Sequence, residues 1–228
     1  MWPSRAGGEP VARALLDHPP GTPEARAEWR LAIASIAGRL GSEDLRRLHE
    51  TLAGDDSLRD VCESALLAAA NLAPDGTPVA AVSPPLPGVE EVRVEAEFLL
   101  TADYLRWREA GKARVLLARL QGREGLSDAQ KGVVALGRLG SMLQQRAWDE
   151  AAAHTASLIA PEGTIDAALA RVWLDEAQFV LQQGSPEEAN TILTHIETLF
   201  AERLDVESLA RLRSFRDRSP TPAMLGPG

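Results

Sequence analysis

Arg171-Val-Trp-Leu-Asp-Glu-Ala-Gln-Phe-Val-Leu-Gln-Gln-Gly-Ser-Pro-Glu-Glu-Ala-Asn-Thr-Ile-Leu-Thr-His-Ile196 reads as a helix, a sharp break and a second helix. Gly184-Ser185 supplies the break. Pro186 opens the second helix where a missing N–H costs nothing, and Glu187 and Glu188 complement the helix dipole. A second stretch 37 residues earlier, Val134 to Ile159, has the same plan, with Ala147-Trp148 at the turn. Repetition at such a period is the mark of stacked helical hairpins, each too small to bury its apolar face alone.

Working outward, the same grammar covers most of the chain. Helices are expected near 128–146, 148–160, 165–183 and 186–204, and a last one from Val206 to Phe215. A long helix is expected over Glu91 to Glu109, with Gly111 as the break and a shorter helix over Ala113 to Leu120. Near the N-terminus, Thr22-Pro23-Glu24 is a cap, a first-turn proline and an acid in series. That helix draws its apolar face from Trp29, Leu31, Ile33, Ile36 and Leu40. The next uses Leu45, Leu48 and Leu52, and the third uses Leu58, Val61, Leu66, Leu67 and Leu72.

The expected fold class is therefore all-α, an α-solenoid of helical hairpins preceded by a small three-helix unit. The expected division is a flexible segment over 1–22, a three-helix unit over 23–72, a proline-rich linker over 73–89, a repeat domain over 90–217 and a flexible tail over 218–228. Prolines 74, 78, 84, 85 and 87 bar helix from the linker.

Within the hairpins, small residues stand where two helices must approach closely. Trp173, Ala177, Val180, Ala189, Leu193 and Ile196 carry this pattern in one hairpin. Leu136, Gly140, Leu143, Ala152, Ala156 and Ile159 fill the same roles in the other. A third copy begins near Glu97, with Leu100, Thr101, Tyr104, Ala113, Leu117 and Leu120. Over residues 94–204 this resembles the tetratricopeptide (TPR) repeat. The proline that often closes such a repeat is absent, which leaves open a general helical solenoid.

The resemblance implies a non-catalytic adaptor or scaffold that binds a protein or peptide on a concave surface lined by the first helix of each hairpin. Its candidate protein-binding residues are Tyr104, Arg108, Arg138, Ser141, Gln145, Arg171, Asp175 and Gln178. A homo-oligomer through open solenoid ends is compatible with the same architecture. Two alternatives stay open: a regulatory helical subunit of a signalling or transcription complex, and a small helical metal-dependent hydrolase.

Composition narrows the classes. The chain has 228 residues, 45% of them hydrophobic, enough for a real core. Its formal net charge is −9, which argues against nucleic acid as the main partner. Lys occurs only at 112 and 131 among many Arg, a usage that suggests a bacterial, GC-rich source. The longest apolar run, Ala65 to Ala70, is too short to span a bilayer, and Met1 to Pro10 lacks a signal-peptide core. A cytoplasmic location is the resulting expectation.

No chemistry stands out from the background. The four histidines, His18, His49, His154 and His195, form no His-Glu-x-x-His motif, and the single Cys62 forms no Cys-x-x-Cys. Cys62 reads as a small buried hydrophobe; a nucleophilic role would need a histidine brought close in space. No catalytic residue, metal ligand or cofactor is expected.

Overall fold

A computed structural model describes residues 22–79, 88–159, 166–200 and 203–219 of the chain. These form ten α-helices: α1 (Pro23–Ala37), α2 (Ser42–Ala53), α3 (Arg59–Ala70), α4 (Val89–Arg106), α5 (Ala110–Gln121), α6 (Asp128–Gln144), α7 (Trp148–Leu158), α8 (Asp166–Gln182), α9 (Pro186–Phe200) and α10 (Val206–Arg218). The fold is all-α. No helix among the described residues is long and apolar enough to cross a membrane.

Two compact units divide the chain, Met1–Gly122 and Arg123–Gly228. This division falls elsewhere than the sequence suggests. Helices α4 and α5, expected to open the repeat domain, pack with the N-terminal helices. In the first unit α1 lies on α3, α2 on α3 and α4, α3 on α4, and α4 on α5. The reason is burial. Val92, Ala96, Leu100 and Tyr104 of α4 and Leu116, Leu117 and Leu120 of α5 are all inside. The apolar faces of three short helices would not be covered without them.

The helix start expected near the N-terminus forms, and most of its apolar face is inside. Thr22 Oγ1 accepts from the Ala25 N–H at 3.3 Å, with Pro23 in the first turn. Trp29, Ile33, Ala37 and Leu40 are buried at helical spacing. Leu31, expected on that face, is 67% exposed, because two residues along a helix is the far side. Leu45, Leu48 and Leu52 are buried as expected.

The proline-rich stretch begins as a closed loop and not as an extended linker. Asn71 ends α3 in the left-handed conformation, and its side chain donates to the Val79 carbonyl at 2.8 Å. Ala73 N–H donates to the Thr77 carbonyl, and Leu72 and Pro78 form an isolated antiparallel bridge. Gly76 has φ +79°, and a Cβ there would lie 3.2 Å from a Val115 methyl of α5. Residues 80–87 of the expected linker lie outside the described residues. So do 1–21 of the expected flexible segment and 220–228 of the expected tail; Arg218, expected to begin that tail, is the last residue of α10.

In the second unit α6 packs on α7 and α8, α7 on α9, α8 on α9 and α10, and α9 on α10. Its core is continuous, from Leu139 and Leu143 through Trp173, Ala177, Ile192 and Phe200 to Leu212 and Phe215. The buried Trp173 indole N–H is satisfied by Thr155 Oγ1 at 2.9 Å.

The hairpins obey one rule with a period one residue longer than the sequence suggests. Arg108, Arg146 and Gly184 all have positive φ, at 62°, 61° and 75°, and each stands 38 residues from the next. At each, the left-handed residue donates three residues back, and the following residue donates five back. The second set runs Glu109 to Tyr104, Ala147 to Met142 and Ser185 to Val180. This is the Schellman closure of a helix C-terminus. Ala113, Ala151 and Ala189 then occupy the same place in the second helix of each hairpin, and all are fully buried.

The expected register of the α6/α7 hairpin is thereby corrected. Ala151 and Thr155 face inward there, whereas Ala152 is half-buried and Ala156 is exposed. Gly111 breaks nothing; it lies within α5, and the break falls at Arg108. Arginine in a left-handed position gives no glycine signal to read.

Candidate functional site

Three polar side chains from three helices meet inside the first unit. His49 follows Leu45 by one turn of α2, at the edge of that helix's buried stripe. Cys62 lies beside Val61 on the inner face of α3 and is fully buried. Asp103 continues the Ala96–Leu100 stripe of α4, a core position on helical spacing. Its side chain is 4% exposed and that of His49 is 16% exposed.

Asp103 is the hub. Its Oδ2 stands 3.0 Å from His49 Nε2 and accepts from Cys62 Sγ at 3.3 Å. One donor atom from each of the three residues lies within 4.8 Å of the others. The second oxygen, Oδ1, pairs with Arg106 Nη2 at 3.3 Å, and Arg106 Nη1 donates to the Ala53 carbonyl at 2.8 Å. Burial, the negative charge of Asp103 and the hydrogen bond to it push the Cys62 thiol well above its ordinary range.

This order of groups decides the chemistry. A nucleophilic cysteine needs its histidine between thiol and carboxylate, so that the ring takes the proton. Here the carboxylate stands between ring and thiol and raises the thiol pKa. The trio is therefore not a cysteine-nucleophile triad. It remains a convergent set of one imidazole, one thiol and one carboxylate, separated in sequence by 13 and 41 residues.

A second polar group lies along the same helices. The Tyr104 hydroxyl donates to Glu63 Oε1 at 2.9 Å, and Lys112 Nζ pairs with the same oxygen at 2.8 Å. Lys112 also pairs with Glu109 at 2.8 Å, which in turn pairs with Arg59. The Arg59 guanidinium lies 4.5 Å over the Trp107 ring. Burial and the Glu63 bond raise the Tyr104 pKa.

The residues expected to line a groove scatter. Tyr104 is buried, and so is Ser141, which accepts from the Gln145 side chain at 3.1 Å. Neither is an exposed position; Tyr104 faces Glu63 of α3. Arg108 and Gln145 are exposed and Arg138 is half-buried. Arg171 and Asp175 are exposed on α8, with Gln178 half-buried beside them. Arg211 of α10 bonds to both Asp175, at 2.7 Å, and Gln178, at 3.2 Å. The structure thus gathers Arg171, Asp175 and Gln178 on one stretch of α8. Tyr104 and Arg108 belong to the first unit.

Sequence reading missed His49 and Asp103. The one signal for Asp103 was an acid on the apolar spacing of α4. His49 gave none, since its partners are remote in the chain. Comparison with protein-family models, curated proteins and solved structures finds no match.

Proposed function

We propose that the chain is a non-catalytic adaptor that binds a protein or peptide segment on its helical-repeat surface, as a divergent TPR-like solenoid. The observation that carries this reading is the 38-residue recurrence of one hairpin closure at Arg108, Arg146 and Gly184. Identical local geometry at a fixed period is what a one-dimensional repeat requires. Packing supports it too. Within each unit the principal neighbours of a helix are the next one and the next but one.

In the second unit α8 packs against both α6 and α10, which is compatible with a row of helices. On α8, Arg171 and Asp175 project outward. Their charges would set the register of an extended or helical guest, with apolar contact giving most of the affinity. A cytoplasmic location, self-association through open repeat ends and the absence of nucleic-acid binding belong to the same reading. The last rests on the net charge of −9.

The test is peptide-display selection against the full chain, followed by binding isotherms with Arg171→Glu and Asp175→Arg. Selected peptides should lose about tenfold or more in affinity to either variant, the scale of one interfacial contact. If no peptide is enriched, or if both variants bind as the parent does, the reading is wrong.

A further inference from the structure

We propose that His49, Cys62 and Asp103 form a binding site for one divalent transition-metal ion of the zinc class. The donor set selects the metal. Imidazole, thiolate and carboxylate together suit zinc and its neighbours, whereas magnesium and calcium take oxygen alone. Nothing about the trio follows from the peptide-binding reading, and either can fail without the other.

The spacing fits. With metal–ligand lengths of about 2.0–2.3 Å, donors on one tetrahedral ion lie roughly 3.3–3.8 Å apart. Here Nε2 and Oδ2 are 3.0 Å apart, Sγ and Oδ2 are 3.3 Å apart, and all three atoms fall within 4.8 Å. Widening the first two pairs by a few tenths of an ångström, with the ring and thiol drawn together inside the 4.8 Å limit, admits an ion. Each donor comes from a different helix, so the packing of α2, α3 and α4 holds the set in place. Arg106 occupies Asp103 Oδ1, and its bond to the Ala53 carbonyl ties it to the end of α2. Such outer support fixes a ligand's orientation. Oδ2 is thereby left facing the ring and the thiol.

Binding exchanges one proton for the ion. The Cys62 S–H proton leaves to solvent as the sulfur–metal bond forms, and the metal's charge makes that loss favourable. The His49 Nε2–H that faces Asp103 is also given up to solvent while Nδ1 takes up a proton, so the ring binds as the neutral tautomer and the net release stays at one proton. Entry is past His49, whose side chain is 16% exposed, against 4% for Asp103. Three protein donors leave a fourth position for water.

The test uses the metal-stripped full-length chain titrated with Co2+. One equivalent should give the near-ultraviolet sulfur-to-cobalt charge-transfer band with tetrahedral d–d bands, and Zn2+ should bleach both. Cys62→Ser should abolish the charge-transfer band. His49→Gln should weaken affinity by about 100-fold or more, since changes to outer partners alone cost 10–100-fold. X-ray absorption of the zinc-loaded parent chain should show one sulfur at about 2.3 Å among nitrogen and oxygen neighbours. That measurement stands even if a variant does not fold. No charge-transfer band, a spectrum unchanged in Cys62→Ser, or a zinc shell without sulfur overturns the proposal, the last two marking an adventitious ion only.

Discussion

Glu97 shows how one buried charge writes itself into the pH dependence. It lies on α4, fully buried, with Arg119 of α5 at 2.9 Å. Burial raises its pKa, and the Arg119 pairing only partly opposes this. The folded state therefore holds the proton more tightly than the unfolded chain does. This contribution is complete below the unfolded glutamate value of about 4.3. It is lost as pH rises from there through the raised folded value, and is flat above. Glu97→Gln keeps an oxygen for Arg119 and should lack that decline. Thermal melts of both chains across the acidic range check it; parallel curves would show that Glu97 is not the source.

At the scale of the element, two expectations follow from the corrected register. Ala151 is fully buried where α7 meets its neighbours, and Ala156 is exposed. Ala151→Leu should cost about 1–3 kcal/mol by overpacking. Ala156→Leu should stay within about 0.5 kcal/mol. Urea denaturation of the pair distinguishes the 38-residue period from the 37-residue one, which predicts the reverse order. The hairpin breaks give the other expectation. Arg146 holds φ 61°, a conformation costing a side chain about 1–2 kcal/mol, part of which glycine gives back as lost unfolded-state restriction. Arg146→Gly should stabilise by about 0.5–1 kcal/mol despite removing the pair with Glu188, since exposed ion pairs are worth little. A lowered melting temperature would count against the left-handed closure.

For the molecule as a whole, the division after Gly122 is the testable feature. Among the described residues the second unit has a continuous core of its own, from Leu139 to Phe215. A fragment of residues 123–228 should therefore be helical and melt cooperatively by circular dichroism. A fragment beginning at residue 90 should gain nothing in cooperativity, because α4 and α5 would be cut from the helices that cover them. If the shorter fragment is unfolded and the longer one folds, the boundary lies where the proline-rich stretch suggested.

Helix existence was legible in the chain because it is local. Caps such as Thr22, acids in first turns and apolar residues at helical spacing act within a few positions of each other. The hairpin plan was legible for the same reason, and its alanines at 177 and 189 are buried as expected. What lay beyond reading was fixed by groups distant in sequence. Arg146 turns left-handed with no glycine to announce it, shifting α7 by one residue and carrying Ala156 to the surface. Tyr104 turns inward because Glu63, 41 residues away, receives its hydroxyl. His49, Cys62 and Asp103 are three unremarkable residues on three helices until packing brings those helices together. No local pattern encodes such a meeting, since it depends on which faces the helices bury against one another.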